Sequence, residues 1–162
     1  MKSAEATEPT APRSEGRVVV GVDDSNEGRE ALRYAAEIAR WRHWTLHIVH
    51  AFHAGVPSSA YGVDMVAYEA ALEATGEALV TDLEQEVLGE GAGLDIRRTI
   101  VEGPPARLLV GASQDADLLV VGNRGHGGLA SIALGSVSQF CVHHAHCPVL
   151  VVRPQTPVGA AA

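Results

Sequence analysis

Between residues 17 and 153 the chain alternates short, continuously apolar runs with longer stretches of helical period. Val18-Val19-Val20-Gly21-Val22 is the first such run. Apolar at every position rather than every second one, it predicts a strand covered on both faces. Ser25 is then placed to cap a helix with Ala31, Leu32, Ala35, Ala36, Ile38 and Ala39 on one face and Glu30, Arg33, Glu37 and Arg40 on the other. Leu46-His47-Ile48-Val49 reads as a second strand, followed by a helix from about Met65 to Leu88 with Leu72, Leu79, Val80, Leu83 and Val87 as its buried stripe. Ile96 to Val101 reads as a third strand. Pro104-Pro105 opens a helix through Ala112, since proline in a first turn loses nothing by lacking an N–H. Leu118-Leu119-Val120-Val121 forms a fourth strand, Ser136 to His144 a last helix, and Val149-Leu150-Val151-Val152 a fifth strand. Buried parallel strands need crossover helices, so this order predicts an α/β fold with one open, five-stranded parallel sheet.

Composition narrows the function. The 162 residues are 46% hydrophobic with a net charge of −8, and Lys2 is the single lysine. An acidic chain lacks the basic surface that nucleic acid or an anionic membrane requires, so neither is expected as a partner. With no lysine inside the domain, Schiff-base chemistry and a Walker A loop are excluded. The acid is concentrated: Glu69, Glu73, Glu77, Asp82, Glu84, Glu86, Glu90 and Asp95 fall within residues 69–96, where no Lys or Arg occurs. Such a face is either simply solvated or a docking surface for a basic partner.

Residues 1–16 and 154–162 mix Pro, Ser, Thr, Ala and Gly without periodicity and are expected to be flexible tails around a domain at 17–153. Cys141 and Cys147 are too few for a disulfide framework and are expected as reduced thiols. Neither a signal peptide nor an apolar run of membrane-spanning length is visible, and the expected location is cytoplasmic.

Open parallel sheets bind ligands at the carboxyl ends of their strands, which directs attention to two places. At Val22-Asp23-Asp24-Ser25 two carboxylates follow a buried strand. One of them either accepts hydrogen bonds from a ribose or base, or only caps the next helix. At residues 121–138, VGNRGHGGLASIALGSVS, a glycine-rich loop leaves a strand and enters a helix. Bare backbone N–H groups and a helix N-terminus favour an anion there, Ser136 and Ser138 add hydroxyls, Arg124 can fork onto a phosphate, and His126 is within the same loop. A purely structural turn with Ser136 as N-cap is the alternative. Gly125-x-Gly127-x-x-Ala130 matches a dinucleotide pattern in the wrong place, after the fourth strand and with no later acid; G-x-S-x-G is absent.

The spacing that does fit is G-x2-G-x9-G-[ST], met by Gly122, Gly125, Gly135 and Ser136, followed by HCPVLVV at 146–152. With VVVGVDDSNEGREALRYAAEIA from residue 18, these segments resemble the nucleotide-binding branch of the universal stress protein family, over about residues 17–153. The resemblance implies a Rossmann-type, adenine nucleotide alpha hydrolase-like sheet with two helices on each face. It implies ATP, AMP or cAMP as ligand, with Mg²⁺ where phosphates need it. It places Val22 and Asp23 near the adenosine, Val49 beside the base, Gly122, Gly125, Gly135 and Ser136 on the phosphates and ribose, and Val137 and Ser138 next to them. It also implies a homodimer through Val149, Leu150, Val151 and Val152. The chain departs from the family at Asn123, where serine is frequent, and at Asp24, where glycine is frequent; the added charge of Asp24 would have to be offset by Mg²⁺ or Arg124.

Three functions follow: a nucleotide-binding regulator in the stress response, with an unidentified protein partner; a slow ATPase; or a ligand-free interaction module. A lone acid and a serine make no catalytic constellation, so binding with at most slow hydrolysis is expected. His143, His144 and His146 diverge on a helix by about 100° per residue, which does not gather a metal site. Side chains at Gly122 or Gly135 are expected to block the ligand with little loss of fold.

Overall fold

The computed structural model describes residues 16–53, 55, 62, 64–89, 93–125 and 134–154. The expected tails lie outside the described residues but for Gly16 and Pro154, as do His126, Gly127 and the rest of 126–133 in the glycine-rich loop. In chain order the elements are β1 (Arg17–Gly21), α1 (Asn26–Arg42), β2 (Thr45–Phe52), α2 (Met65–Leu88), β3 (Ile96–Glu102), α3 (Pro105–Ala112), β4 (Leu118–Gly122), α4 (Ser136–His144) and β5 (Val149–Val152). All neighbours pair in parallel, in the order β3-β2-β1-β4-β5. β2 outruns its predicted run because it pairs with β3 from Leu46 opposite Ile96 to Phe52 opposite Glu102, so the ladder carries His50, Ala51 and Phe52 into the strand.

The two faces have separate cores. Val18, Val20, Leu46, Ile48 and Val120 meet the alanines of α1 and Val80 and Leu83 of α2. Val19, Val49, Leu119 and Val121 meet Leu109 of α3 and Cys141 of α4. Ala31, Ala35, Ala36 and Ala39 are fully buried, and their small side chains let α1 lie close on the sheet. Ser25 caps α1 by accepting from the Gly28 N–H, and Arg40 and Arg42 occupy the last turn, where the helix dipole favours cations. The buried stripe of α2 falls in its C-terminal two-thirds, on Gly76, Val80 and Leu83, while Val66 is 77% exposed.

The acidic face of α2 is more than a solvated surface. Arg98 of β3 forks onto Glu84, with Nε 2.6 Å from Oε1 and an Nη 2.7 Å from Oε2, and Arg29 of α1 reaches Glu86. Both cations come from outside the lysine- and arginine-free stretch of the helix, so two of its carboxylates are neutralised within the fold. No helix among the described residues is long and apolar enough to cross a membrane. Cys141 and Cys147 are free thiols, and burial pushes the Cys141 thiol up to about 11, which keeps it protonated and unreactive at neutral pH.

His47 lies half-buried on the α3 and α4 side of β2, with Nε2 2.8 Å from Thr99 Oγ1. Burial, with Arg17 and Arg97 nearby, holds its imidazole below the ordinary value. The unfolded chain protonates this ring near pH ~6.5 while the native protein resists, so stability falls as pH drops through ~6.5 toward the folded-state value. Urea unfolding at pH 7.5 and 5.5 is expected to show a smaller acid-induced loss for His47→Gln than for the unaltered protein. Equal losses in the two proteins would remove His47 as a cause.

Candidate functional site

β1 and β4 lie side by side at the centre of the sheet, yet α1 leaves β1 toward one face and α4 follows β4 on the other. The chain therefore parts above their carboxyl ends, the position where open α/β sheets form a crevice. Val22 continues from β1 and donates its N–H to the Val49 carbonyl at 3.0 Å, which binds the first strand end to β2. His50 Nδ1 lies 3.0 Å from the carbonyl oxygen of the same residue, Val22.

Asp23 is the next residue, and its carboxylate is held from two directions. Oδ1 accepts the Ser25 N–H at 3.2 Å and also the Ser25 hydroxyl. That hydroxyl in turn accepts the Gly28 N–H at 3.0 Å, so the N-cap of α1 and the orientation of Asp23 are a single arrangement. Ser25, rather than Asp23 or Asp24, caps the helix. A Cβ on Gly28 would sit 2.7 Å from both the carbonyl oxygen and Oδ1 of Asp23, and one on Gly125 would sit 2.5 Å from Oδ2. The acid thus occupies a slot between two bare backbones, with Oδ2 directed across the crevice to the loop after β4. Asp24 points elsewhere: its Oδ1 is 2.7 Å from an Nη of Arg29. Arg29 offsets its charge within the turn, a cation the sequence pattern did not single out.

The opposite wall is stitched to the end of β4. The Asn123 N–H donates to the Val152 carbonyl of β5 at 2.7 Å, and the Gly135 N–H donates to the Asn123 carbonyl at 2.7 Å. Ser138 is buried and gives its hydroxyl proton to the Gly122 carbonyl at 2.5 Å, so this hydroxyl serves the wall itself. Gly135 is the N-cap of α4 and makes no side-chain cap bond; Ser136 stands one residue inside the helix and is exposed, which corrects its reading as an N-cap. The first turn of α4 consequently has N–H donors that no cap side chain takes.

These walls enclose a cavity of about 530 Å³. Val22, Asp23 and Val49 line it from the β1 and β2 side, and Gly122, Arg124 and Gly125 from the end of β4. Gly135, Ser136, Val137 and Ser138 line it from the start of α4, so the structure brings all ten candidate positions to one space. Val121 of β4 adds to an apolar wall with Pro105 and Leu109 of α3 and Ala51 of β2, and sequence reading passed over the last three. Only the rotation of α3 on the sheet reveals Pro105 and Leu109. The regular alternation of β2 from Val49 would have marked Ala51.

The glycines of the loop differ in what demands them. At Gly122 a Cβ would come within 2.8 Å of Glu27 Cβ and 3.0 Å of the Arg124 carbonyl oxygen, so a side chain there disturbs the packing of α1. This overturns the expectation that Gly122 tolerates one. At Gly135 the nearest atoms would be Arg124 Cα at 3.4 Å and the Asn123 carbonyl oxygen at 3.5 Å, an ordinary contact, and φ −70° with ψ 160° suits any residue. Among the described residues nothing requires glycine at 135.

Residues 16–153 match the family described as the universal stress protein family. A universal stress protein of Mycolicibacterium smegmatis is 34% identical over 139 residues, which span 84% of this chain and 47% of that protein. The chain spans about half the length of the mycobacterial relatives it matches. Among solved structures, the universal stress protein UspA from Lactobacillus plantarum covers 88% of this chain and 100% of its own, with a TM-score of 0.67 at 23% identity. A universal stress protein in complex with cAMP covers 85% of this chain and 95% of its own, with a TM-score of 0.59 at 30% identity. The fold, the placement of the cavity and these matches have one conclusion: the chain belongs to the universal stress protein family.

Proposed function

We propose that the cavity binds an adenine nucleotide, ATP, AMP or cAMP, and that the protein is a cytoplasmic stress-response regulator whose shape or protein partner depends on that ligand. The observation that carries this reading is the polarity of the cavity. Val22, Val49, Ala51 and Leu109 form an apolar slot of the kind a flat base fills, with the fixed Oδ2 of Asp23 as an acceptor for an amino or hydroxyl group. Across the crevice, Arg124 and the uncapped first turn of α4 offer cationic and N–H donors suited to phosphate. The volume of about 530 Å³ falls in the range of small-molecule sites. A relative of similar fold that was solved with cAMP supports the choice of ligand class. Mg²⁺ would enter with the phosphates of ATP and is assigned no protein ligand.

Calorimetric titration with ATP, AMP and cAMP tests the reading directly, and absence of binding by all three at millimolar concentration would refute it. Gly135→Val is the sharper probe. It is expected to cost about 1 kcal/mol of stability as a poorer N-cap while weakening the nucleotide by tenfold or more, roughly 1.4 kcal/mol, because the added methyls project into the cavity. Unchanged affinity in a folded Gly135→Val protein would overturn the phosphate assignment.

Turnover should be slow. A P-loop lysine is absent from the chain, and no general base stands beside the described phosphate wall. Purified protein is expected to hydrolyse ATP more slowly than about once per second, below the usual range of enzymes, and a faster rate measured by phosphate release would favour an ATPase.

Homodimerisation through β5 belongs to the same proposal. β5 is an edge strand. The Pro148 and Val152 carbonyls accept from Leu119 and Asn123, so by alternation Val149 and Val151 turn their backbone groups to the open edge. Pairing with a second copy would satisfy them. Val151→Pro removes an outward donor and leaves the ladder to β4 intact, so light scattering is expected to show a dimer for the unaltered protein and a shift to monomer for the variant. An unaltered protein that is monomeric at about 10 µM, far above the Kd of a stable dimer, would refute this.

A further inference from the structure

Arg29 lies one turn into α1, with its side chain 25% exposed, and its guanidinium makes three sets of bonds. One Nη donates to Asp24 Oδ1 at 2.7 Å, the other to the Ser25 carbonyl at 3.2 Å, and Nε is shared between the Glu86 carboxylate oxygens at 3.2 and 3.1 Å. Glu86 belongs to the last turns of α2, 57 residues away in sequence. The first two bonds fall on the two residues that follow Asp23. One of these, Ser25, supplies both donors to Asp23 Oδ1.

We propose that Arg29 is a positioning residue for Asp23, holding the 23–25 turn against the C-terminal end of α2 so that Oδ2 faces the cavity. The inference rests on the proposed nucleotide site only for its effect on affinity. The geometry explains why a lysine would substitute only in part. A point charge can meet one carboxylate, whereas the planar fork meets Asp24, the Ser25 carbonyl and Glu86 at once. It also gives the acidic end of α2 a role: Glu86 anchors the guanidinium from the side away from the ligand, and a partner or charge change at that end of α2 would be felt at Asp23. Arg33, one turn on, pairs with Glu30 of its own helix and serves as the control.

Two measurements on the full chain test the proposal. In ligand-free protein, the amide protons of Ser25 and Gly28, bonded to Asp23 Oδ1 and Ser25 Oγ, are expected to exchange roughly tenfold faster in Arg29→Gln than in the unaltered protein or Arg33→Gln, through local opening. Unchanged protection overturns the clamp, whatever the nucleotide result. In titration with ATP, Arg29→Gln is expected to weaken binding by roughly tenfold, with Glu86→Gln and Arg29→Lys weakening it less, and Arg33→Gln not at all. In an Asp23→Asn background, Arg29→Gln is expected to cause no further loss. Equal losses in both backgrounds would show that Arg29 does not act through Asp23 and would overturn the assignment. If Arg29→Gln fails to fold, Glu86→Gln, at the far end of the clamp, decides by the same two readouts. An unaltered protein that binds no nucleotide removes the ligand reading, and amide exchange then decides the clamp alone.

Discussion

The pairing of β1 with β4 is the constraint on which the site depends. Val18, Val19 and Val20 lie opposite Leu118, Leu119 and Val120, and the three valines are fully buried. The crossovers that join parallel strands are right-handed, so a sheet that grows outward from its centre in two directions must send its helices to opposite faces. Here β1 starts the half that continues to β2 and β3, and β4 starts the half that continues to β5. Their outgoing chains diverge, and among the described residues the space between them is an open cavity. The cavity is therefore a product of topology, and the residues at the strand ends decide only what it accepts.

Most of this framework was legible because fully buried strands and an alanine-striped helix leave periodic signatures. The limits of α2, α4 and β5 agree with the sequence pattern, and α1 begins at its Ser25 cap. What escaped was set by partners distant in the chain. β2 extends to Phe52 because β3 offers a matching edge, which the polar His50 conceals. Asp24 looked like an uncompensated charge beside a phosphate because its partner, Arg29, appeared in the pattern only as a residue near a helix start. Pro105 and Leu109 reach the cavity through the rotation of α3, a consequence of packing against β1 and β2 that no local period encodes.

The glycine pattern shows a related limit. Gly122, Gly125 and Gly135 are equivalent as letters in a motif, but each answers to a different neighbour: Glu27 of α1, the carboxylate of Asp23, and an ordinary contact with the backbone of Asn123 and Arg124 at the rim of the cavity. The first two are needed to bring walls together before any ligand arrives. A motif of this kind thus mixes positions that build a site with positions that face its contents, and only the distances separate them.

The same separation governs charge. A chain of net charge −8 is a poor attractor for a polyanion over long range, so any affinity for phosphate must arise from local arrangement. The fold supplies that arrangement by taking acids out of play: Glu84 is forked by Arg98, while Asp24 and Glu86 share Arg29. Among the described residues Asp23 is the acid that lines the cavity, and its Oδ1 accepts from Ser25. The opposite wall carries Arg124 and the positive end of α4. One end of the cavity therefore accepts hydrogen bonds and the other donates them, so a ligand with an amino- or hydroxyl-bearing ring and an anionic tail has one favourable orientation. Reversing it would bring phosphate against Asp23 and leave the α4 donors facing apolar or donor groups, a double penalty of buried like charge and unmet N–H groups.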